Sequence, residues 1–212
     1  AFRSALKRAV DVAEGFEAIV TLGIKPDKPE TGYGYLETEE SRTDIPAKVL
    51  RFCEKPTLEK AKEYLESGRF LWNSGMFIFK VETMFRAFEN LMPGHWAILK
   101  EINDLIRDLE YSSKLKEIFR RFVKTSIDFG IMEKFANTYV VPVDFGWNDI
   151  GSYPALSEVF SSDENNNIVR NVRLREFNSS GNIVIGSAKN NYTEKTIALL
   201  GVHNMVIIET PD

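Results

Sequence analysis

Apolar positions along the first half of the chain alternate between two rhythms. Phe2, Ala5, Leu6, Ala9, Val10 and Ala13 recur at helical spacing with Arg3, Lys7, Arg8 and Asp11 on the other faces, and Gly15 is expected to end that helix. Ala18 to Leu22 is a short apolar run with β-branched members, which reads as a buried strand. The segment 23–31 carries Pro26 and Pro29 and reads as a loop entering Gly32-Tyr33-Gly34-Tyr35-Leu36-Glu37. Ala47 to Phe52 is a further strand. Pro56 cannot continue its ladder, so Thr57 caps a helix with Leu58, Ala61 and Leu65 inside and Gly68 at its close. Phe70 to Phe79 is strongly apolar except for Asn73-Ser74-Gly75.

A helical block follows. Val81, Met84, Phe85, Phe88 and Leu91 form one apolar face, Ile98, Ile102, Leu105, Ile106 and Leu109 a second, and Leu115, Ile118, Phe119 and Phe122 a third. Aromatic stripes at this spacing are read as core, and His95 as a packing or capping residue. Ser126 caps a helix bearing Ile127, Ile131 and Phe135, with Asp128 in its first turn, where a carboxylate complements the helix dipole. Thr138 to Val141 is a strand, and a helix is expected from Ser152 to about Phe160. Beyond the polar run 161–167 only short β-type runs appear: Ile168 to Val172, Ile183 to Ile185, Thr196 to Leu200 and Val202 to Ile208. The expectation is an α/β domain over residues 1–162 and the start of a β-rich, β-helical or small stacked-sheet domain over 163–212.

Composition narrows the chemistry. With 43% hydrophobic residues in 212, a core is assured. A net charge of −4 without a Lys/Arg cluster excludes a nucleic-acid footprint. No apolar run approaches the roughly 18 residues of a membrane span, and a soluble, cytoplasmic protein is expected. The single Cys53 excludes an internal disulfide, and two histidines, His95 and His203, cannot assemble a Cys/His zinc site. Any metal must therefore sit on carboxylates, which favours Mg²⁺ with phosphates.

Four places could carry chemistry. Asp149 lies between Gly146 and Gly151, just past the strand that ends at Val141, where α/β sheets bind ligands. Gly32 and Gly34 suit either a bend at a strand start or the close approach of backbone to a ligand. Glu54 and Lys55, at a strand-to-helix junction, are either a solvated pair or a pair matched to a sugar phosphate, the ammonium to the phosphate and the carboxylate to hydroxyls. Asn73 either turns the chain or points its amide at a ligand, since an unpaired amide inside an apolar strand costs free energy.

Five fragments in order give these places a common meaning: Gly23-Ile24-Lys25-Pro26 with Pro29-Glu30-Thr31-Gly32-Tyr33-Gly34-Tyr35; Phe52-Cys53-Glu54-Lys55-Pro56; Trp72-Asn73-Ser74-Gly75-Met76-Phe77; Ser126-Ile127-Asp128 with Met132-Glu133-Lys134; and Gly146-Trp147-Asn148-Asp149-Ile150-Gly151-Ser152. Over roughly residues 1 to 160 the chain resembles the mannose-1-phosphate guanylyltransferases of the sugar-1-phosphate nucleotidyltransferase superfamily. The resemblance implies a Rossmann-like domain that transfers GMP from GTP to mannose-1-phosphate, giving GDP-mannose and pyrophosphate with Mg²⁺. It also implies that Asp149 is one of two aspartates holding the metal and that Lys55 faces the sugar phosphate, these two being the catalytic pair. Glu54, Asn73 and the Gly32/Gly34 backbone would hold the mannose, with Tyr33 and Gly75 from the same motifs lining the substrate site.

The resemblance departs at one point. The Gly-rich nucleotide loop and the second metal aspartate of that family are absent from these residues and are expected before Ala1, itself already inside a helical pattern. The expectation is then a chain that alone holds no metal and turns over little. Another sugar-1-phosphate nucleotidyltransferase, or a non-catalytic sugar-nucleotide sensor, are the alternatives. The β module, which in related enzymes serves assembly or regulation, admits a homodimer.

Overall fold

The computed structural model describes residues 1–39, 45–106, 111–187 and 195–210. The chain divides into two compact units, Ala1–Trp147 and Asn148–Asp212.

In the first unit six strands form one mixed sheet: β1 (Ile19–Ile24), β2 (Gly34–Glu37), β3 (Ala47–Lys48), β4 (Arg51–Glu54), β5 (Phe70–Ile78) and β6 (Thr138–Val143), in the order β3-β6-β1-β5-β2-β4. Among the described residues of this sheet only the β1–β6 pairing is parallel. The apolar run 47–52 is two strands rather than the single one expected, and they occupy opposite edges of the sheet. Val49 N–H donates to the Thr138 carbonyl of β6 and Leu50 N–H to the Glu37 carbonyl of β2. Three peptide steps from Lys48 to Arg51 span at most about 11 Å, so the two edges converge and the sheet is curled. Pro142 is tolerated in β6 because β3 pairs only with Tyr139 and Val140, leaving no partner there that needs an N–H.

Helix α1 (Phe2–Phe16) packs Ala5, Ala9, Val12 and Ala13 on Val20, Leu22, Val141 and Val143. Its small side chains let helix and strands approach closely. Gly15 does not end it; Glu17, in the left-handed conformation at φ 49°, does. The other sheet face carries Ile19, Leu36, Phe52, Leu71 and Val140 against Met84, Ala87, Met92, Ile131 and Met132. Helix α2 (Leu58–Ser67) has the expected caps: the Thr57 hydroxyl accepts from Lys60 N–H and Gly68 adopts φ 65°. It buries Ala61 and Tyr64 against Tyr35, Phe70 and Trp72.

Helices α3 (Val81–Leu91), α4 (Pro93–Asp104) and α5 (Tyr111–Phe119) match the helical block, with Leu109 outside the described residues. Their aromatic stripes are not all core: Phe85 and Phe119 are more than half exposed, and Val81 likewise, because α3 turns mainly Thr83, Met84 and Ala87 inward. His95 is a packing residue, its Nε2–H donating to the Val123 carbonyl at 2.9 Å. The segment after Ser126 is one π-helical turn, Asp128–Met132, begun by the Ser126 hydroxyl accepting from Phe129 N–H.

In the second unit the expected helix after Ser152 is only a 3₁₀ turn, Pro154–Glu158. Leu156 and Phe160 pack on Ile168 and Ile183, so this segment joins the β-type residues instead of preceding a boundary at Asp163. Strands β7 (Ile168–Arg170), β9 (Ile183–Ile185) and β11 (Val206–Ile208) stack in parallel, as do β8 (Arg173–Phe177) and β10 (Thr196–Leu200). The strand β8 escaped the sequence pattern, its alternating Arg173, Leu174, Arg175, Glu176 and Phe177 being too polar to register. Two buried asparagines hold the stack. Asn182 Nδ2 donates to Asn167 Oδ1 and to the Val202 carbonyl, while Met205 N–H donates to Asn182 Oδ1. Among the described residues no helix is long and apolar enough to cross a membrane.

Candidate functional site

Strand register builds the site. Gly34 of β2 lies directly across from Glu54 of β4, and Tyr35 from Trp72 of β5, which carries Asn73 alongside Gly34 on its other flank. Glu54, Gly34 and Asn73 thus form a row over three adjacent strands. A Cβ at residue 34 would lie 2.6 Å from Glu54 Oε2 and 3.4 Å from Asn73 Cβ, so glycine is what keeps an acid and an amide facing a common gap. Its backbone is ordinary extended strand; the requirement is for space.

The Glu54 side chain is 9% exposed and that of Lys55 is 60% exposed, their charged ends 2.9 Å apart. The carboxylate therefore sits in the sheet surface and the ammonium at its rim. Lys55 takes φ 47° as the chain leaves β4 for Pro56, with its N–H donating to the Tyr33 carbonyl. Glu54 N–H donates to Glu133 Oε1 at 3.3 Å, which ties the end of β4 to the π-helical turn.

Asn73 begins a bulge. Thr21 and Gly23 of β1 pair with Phe77 and Asn73, so three residues of β5 bulge opposite Leu22 alone. Gly75, at φ 74°, makes this turn possible and donates its N–H to Asn73 Oδ1 at 3.2 Å; the Thr21 hydroxyl donates to the same oxygen at 2.7 Å. The sequence left a turn and a ligand-facing amide as alternatives for Asn73; the bulge supplies the turn, with Asn73 Oδ1 bonded inside it.

Tyr33 stands edge-on to Trp72 and Trp147, at 5.2 and 5.4 Å between centroids. Below, the Tyr35 hydroxyl donates to the Glu30 carbonyl at 2.8 Å and anchors the proline-containing loop, and burial pushes its phenol pKa up. Burial, with the hydrogen bond to Cys53, pushes the Tyr64 phenol up to about 12. Cys53 is half-buried against this ring, in keeping with a small apolar residue.

The first unit thus brings together Gly34, Glu54, Lys55 and Asn73, with Tyr33 beside them. Gly32 is exposed, and its N–H donates to Glu30 Oε1 at 3.0 Å. Gly75 shapes the bulge through its own N–H. Asp149 belongs to the second unit, exposed in a loop where Asn148 Oδ1 accepts from Ile150 N–H. Among the described residues no group of three His, Cys, Asp or Glu is placed to hold a metal. Mg²⁺ takes six oxygens, so Asp149 suits it only if substrate phosphates and water supply the rest. Thr21, Glu133 and Trp147 went unremarked as site residues in the sequence; Glu133 and Trp147 lie inside the recognised motifs, whereas Thr21 carries no local signal.

A family model described as nucleotidyl transferase matches residues 1–166. The chain is 36% identical over 214 residues to a mannose-1-phosphate guanylyltransferase of Klebsiella pneumoniae, covering 96% of this chain and 43% of that protein. It is 37% identical over 215 residues to the xanthan biosynthesis protein XanB of Xanthomonas campestris pv. campestris (strain B100), covering 100% and 43%. A crystal structure from Thermus thermophilus, named mannose-1-phosphate geranyltransferase, is similar with a TM-score of 0.74 and 32% identity over 100% of this chain and 58% of that one. The chain therefore spans less than half the length of these curated relatives.

Proposed function

Because this chain belongs to the nucleotidyl transferase family, we propose that it supplies the sugar phosphate half of a mannose-1-phosphate guanylyltransferase site. The observation that carries this reading is the row Glu54–Gly34–Asn73 with Lys55 at its rim. An acceptor-only carboxylate and an amide flank a gap that fits a hydroxyl-bearing ring, and an exposed cation stands where a phosphate on that ring would lie. The names of the Klebsiella and Thermus relatives support mannose-1-phosphate as that ligand.

In the proposed reaction a phosphate oxygen of mannose-1-phosphate attacks the α-phosphorus of GTP, the bond to the β-phosphate oxygen breaks, and pyrophosphate leaves. Glu54 accepts a hydrogen bond from a sugar hydroxyl and Asn73 donates one, which fixes the ring. Lys55 exchanges its contact with Glu54 for the phosphate and so holds the nucleophile in line. Such transfers ask a protein mainly for position and charge neutralisation. Asp149 would contribute one carboxylate oxygen to Mg²⁺, which when bound neutralises phosphate charge. For the second unit, the parallel stacking and the Asn167–Asn182 pair favour a β-helical coil.

The test is pyrophosphate release by the intact protein from GTP and mannose-1-phosphate, titrated with Mg²⁺, in competition with other sugar phosphates and nucleotides. Turnover that prefers mannose-1-phosphate and falls at least a hundredfold in Asp149→Asn is expected. Preference for another sugar phosphate would overturn the substrate, and an unchanged Mg²⁺ dependence in Asp149→Asn would overturn the metal role.

A further inference from the structure

Thr21 is a hydroxyl in the wrong company. It is fully buried, as are Ile19, Val20 and Leu22 around it, in a strand whose other side chains are aliphatic. A valine there would fill the same volume without a polar group to satisfy. Its close partner is Asn73 Oδ1 at 2.7 Å, with the Leu22 carbonyl at a marginal 3.5 Å.

The consequence lies in which end of the amide faces the gap. Asn73 Oδ1 accepts from both Thr21 and Gly75; a flipped amide would set its NH₂ against the Gly75 N–H, which can only donate, so Gly75 sets the orientation while the Thr21 hydroxyl tethers the amide. Among the described residues Asn73 Nδ2 has no hydrogen-bond partner, and it is not sealed from solvent. We propose that Thr21 is a positioning residue of the sugar phosphate site, tethering in place the Asn73 amide whose NH₂ end the Gly75 N–H turns toward the ligand. This rests on the function proposed above. It specifies the ligand further: the atom that meets Asn73 must accept a hydrogen bond, and the atom that meets Glu54 must donate one. Hydroxyl groups on a sugar ring meet both demands, whereas a carbonyl or carboxylate meets only the first.

Two measurements on the 212-residue chain decide the matter. Side-chain ¹⁵N relaxation of the Asn73 amide should show a rigid group in the wild type, a loosened one in Thr21→Val, and restored order in Thr21→Ser. Calorimetric titration with mannose-1-phosphate should show about tenfold weaker binding for Thr21→Val, recovery in Thr21→Ser, and no added effect of Thr21→Val in the Asn73→Ala background. An amide equally ordered in Thr21→Val would overturn the proposal, as would the same tenfold loss with Asn73 already removed. Failure of the wild type to bind mannose-1-phosphate would overturn the function proposed above, and the amide relaxation would still decide the role of Thr21.

Discussion

Glu54 stands across the β2–β4 ladder from Gly34, its Oε2 only 2.6 Å from where a Cβ of residue 34 would be. Residue 34 has no positive φ, so alanine suits the backbone, and its Cβ meets Glu54 Oε2 first, ahead of the Phe52 ring at 3.2 Å. Gly34→Ala should keep the fold, displace the carboxylate and weaken mannose-1-phosphate binding about tenfold, some 1.4 kcal/mol, by calorimetry. Unchanged affinity would mean that Glu54 does not need its present position.

The Lys55 ammonium is well exposed although the Glu54 carboxylate it touches is not, and water around the ammonium screens the pair and limits its contribution to stability. Lys55→Met should therefore leave thermal unfolding almost unmoved. It should weaken mannose-1-phosphate binding by roughly 10- to 100-fold at low ionic strength, with a smaller loss at high salt, and leave mannose binding alone. An equal loss for the two ligands would place Lys55 away from the phosphate.

Asn182 is fully buried and its side chain serves three partners, Asn167, Val202 and Met205. Asn182→Ala leaves the Met205 N–H without its acceptor, while Asn167 Oδ1 keeps the Asn182 backbone N–H and the Val202 carbonyl keeps the Ser180 N–H. Denaturant unfolding should show the second unit destabilised by about 1–3 kcal/mol, with the first unit's transition unaffected. A loss below about 1 kcal/mol would mean that water replaces the amide.

Glu209 is held below the usual carboxylate range, first by the Lys195 ammonium and then by the Ser187 N–H. Its folded pKa is the lower one, so the stabilisation is present above the unfolded value of about 4.5 and is lost as pH falls through the folded pKa. A ¹³C titration of the Glu209 carboxyl should find the depressed midpoint, and Lys195→Met should raise it part of the way while Ser187 still donates.

Local sequence carried much of this. The Thr57 and Gly68 caps, the strands at Ile19, Phe70 and Thr138, and the meeting of Glu54, Lys55 and Asn73 were legible because capping chemistry, apolar runs and motif order are properties of neighbouring residues. The 3₁₀ turn at Pro154 and the π-helical turn at Asp128 were not, since both imitate helical spacing over one turn and packing decides how far they continue.

By itself, then, the sequence determined the α/β rhythm, the family and the residue types that can meet a sugar phosphate. Only the tertiary structure decided that Ala47 to Phe52 splits between two sheet edges, that Gly32 spends its N–H on Glu30, and that Thr21, 52 residues from Asn73, hydrogen-bonds its amide. The physical reason is the same in each case. Strand register and sheet curl are set by pairings between distant segments, and no window of sequence contains both partners.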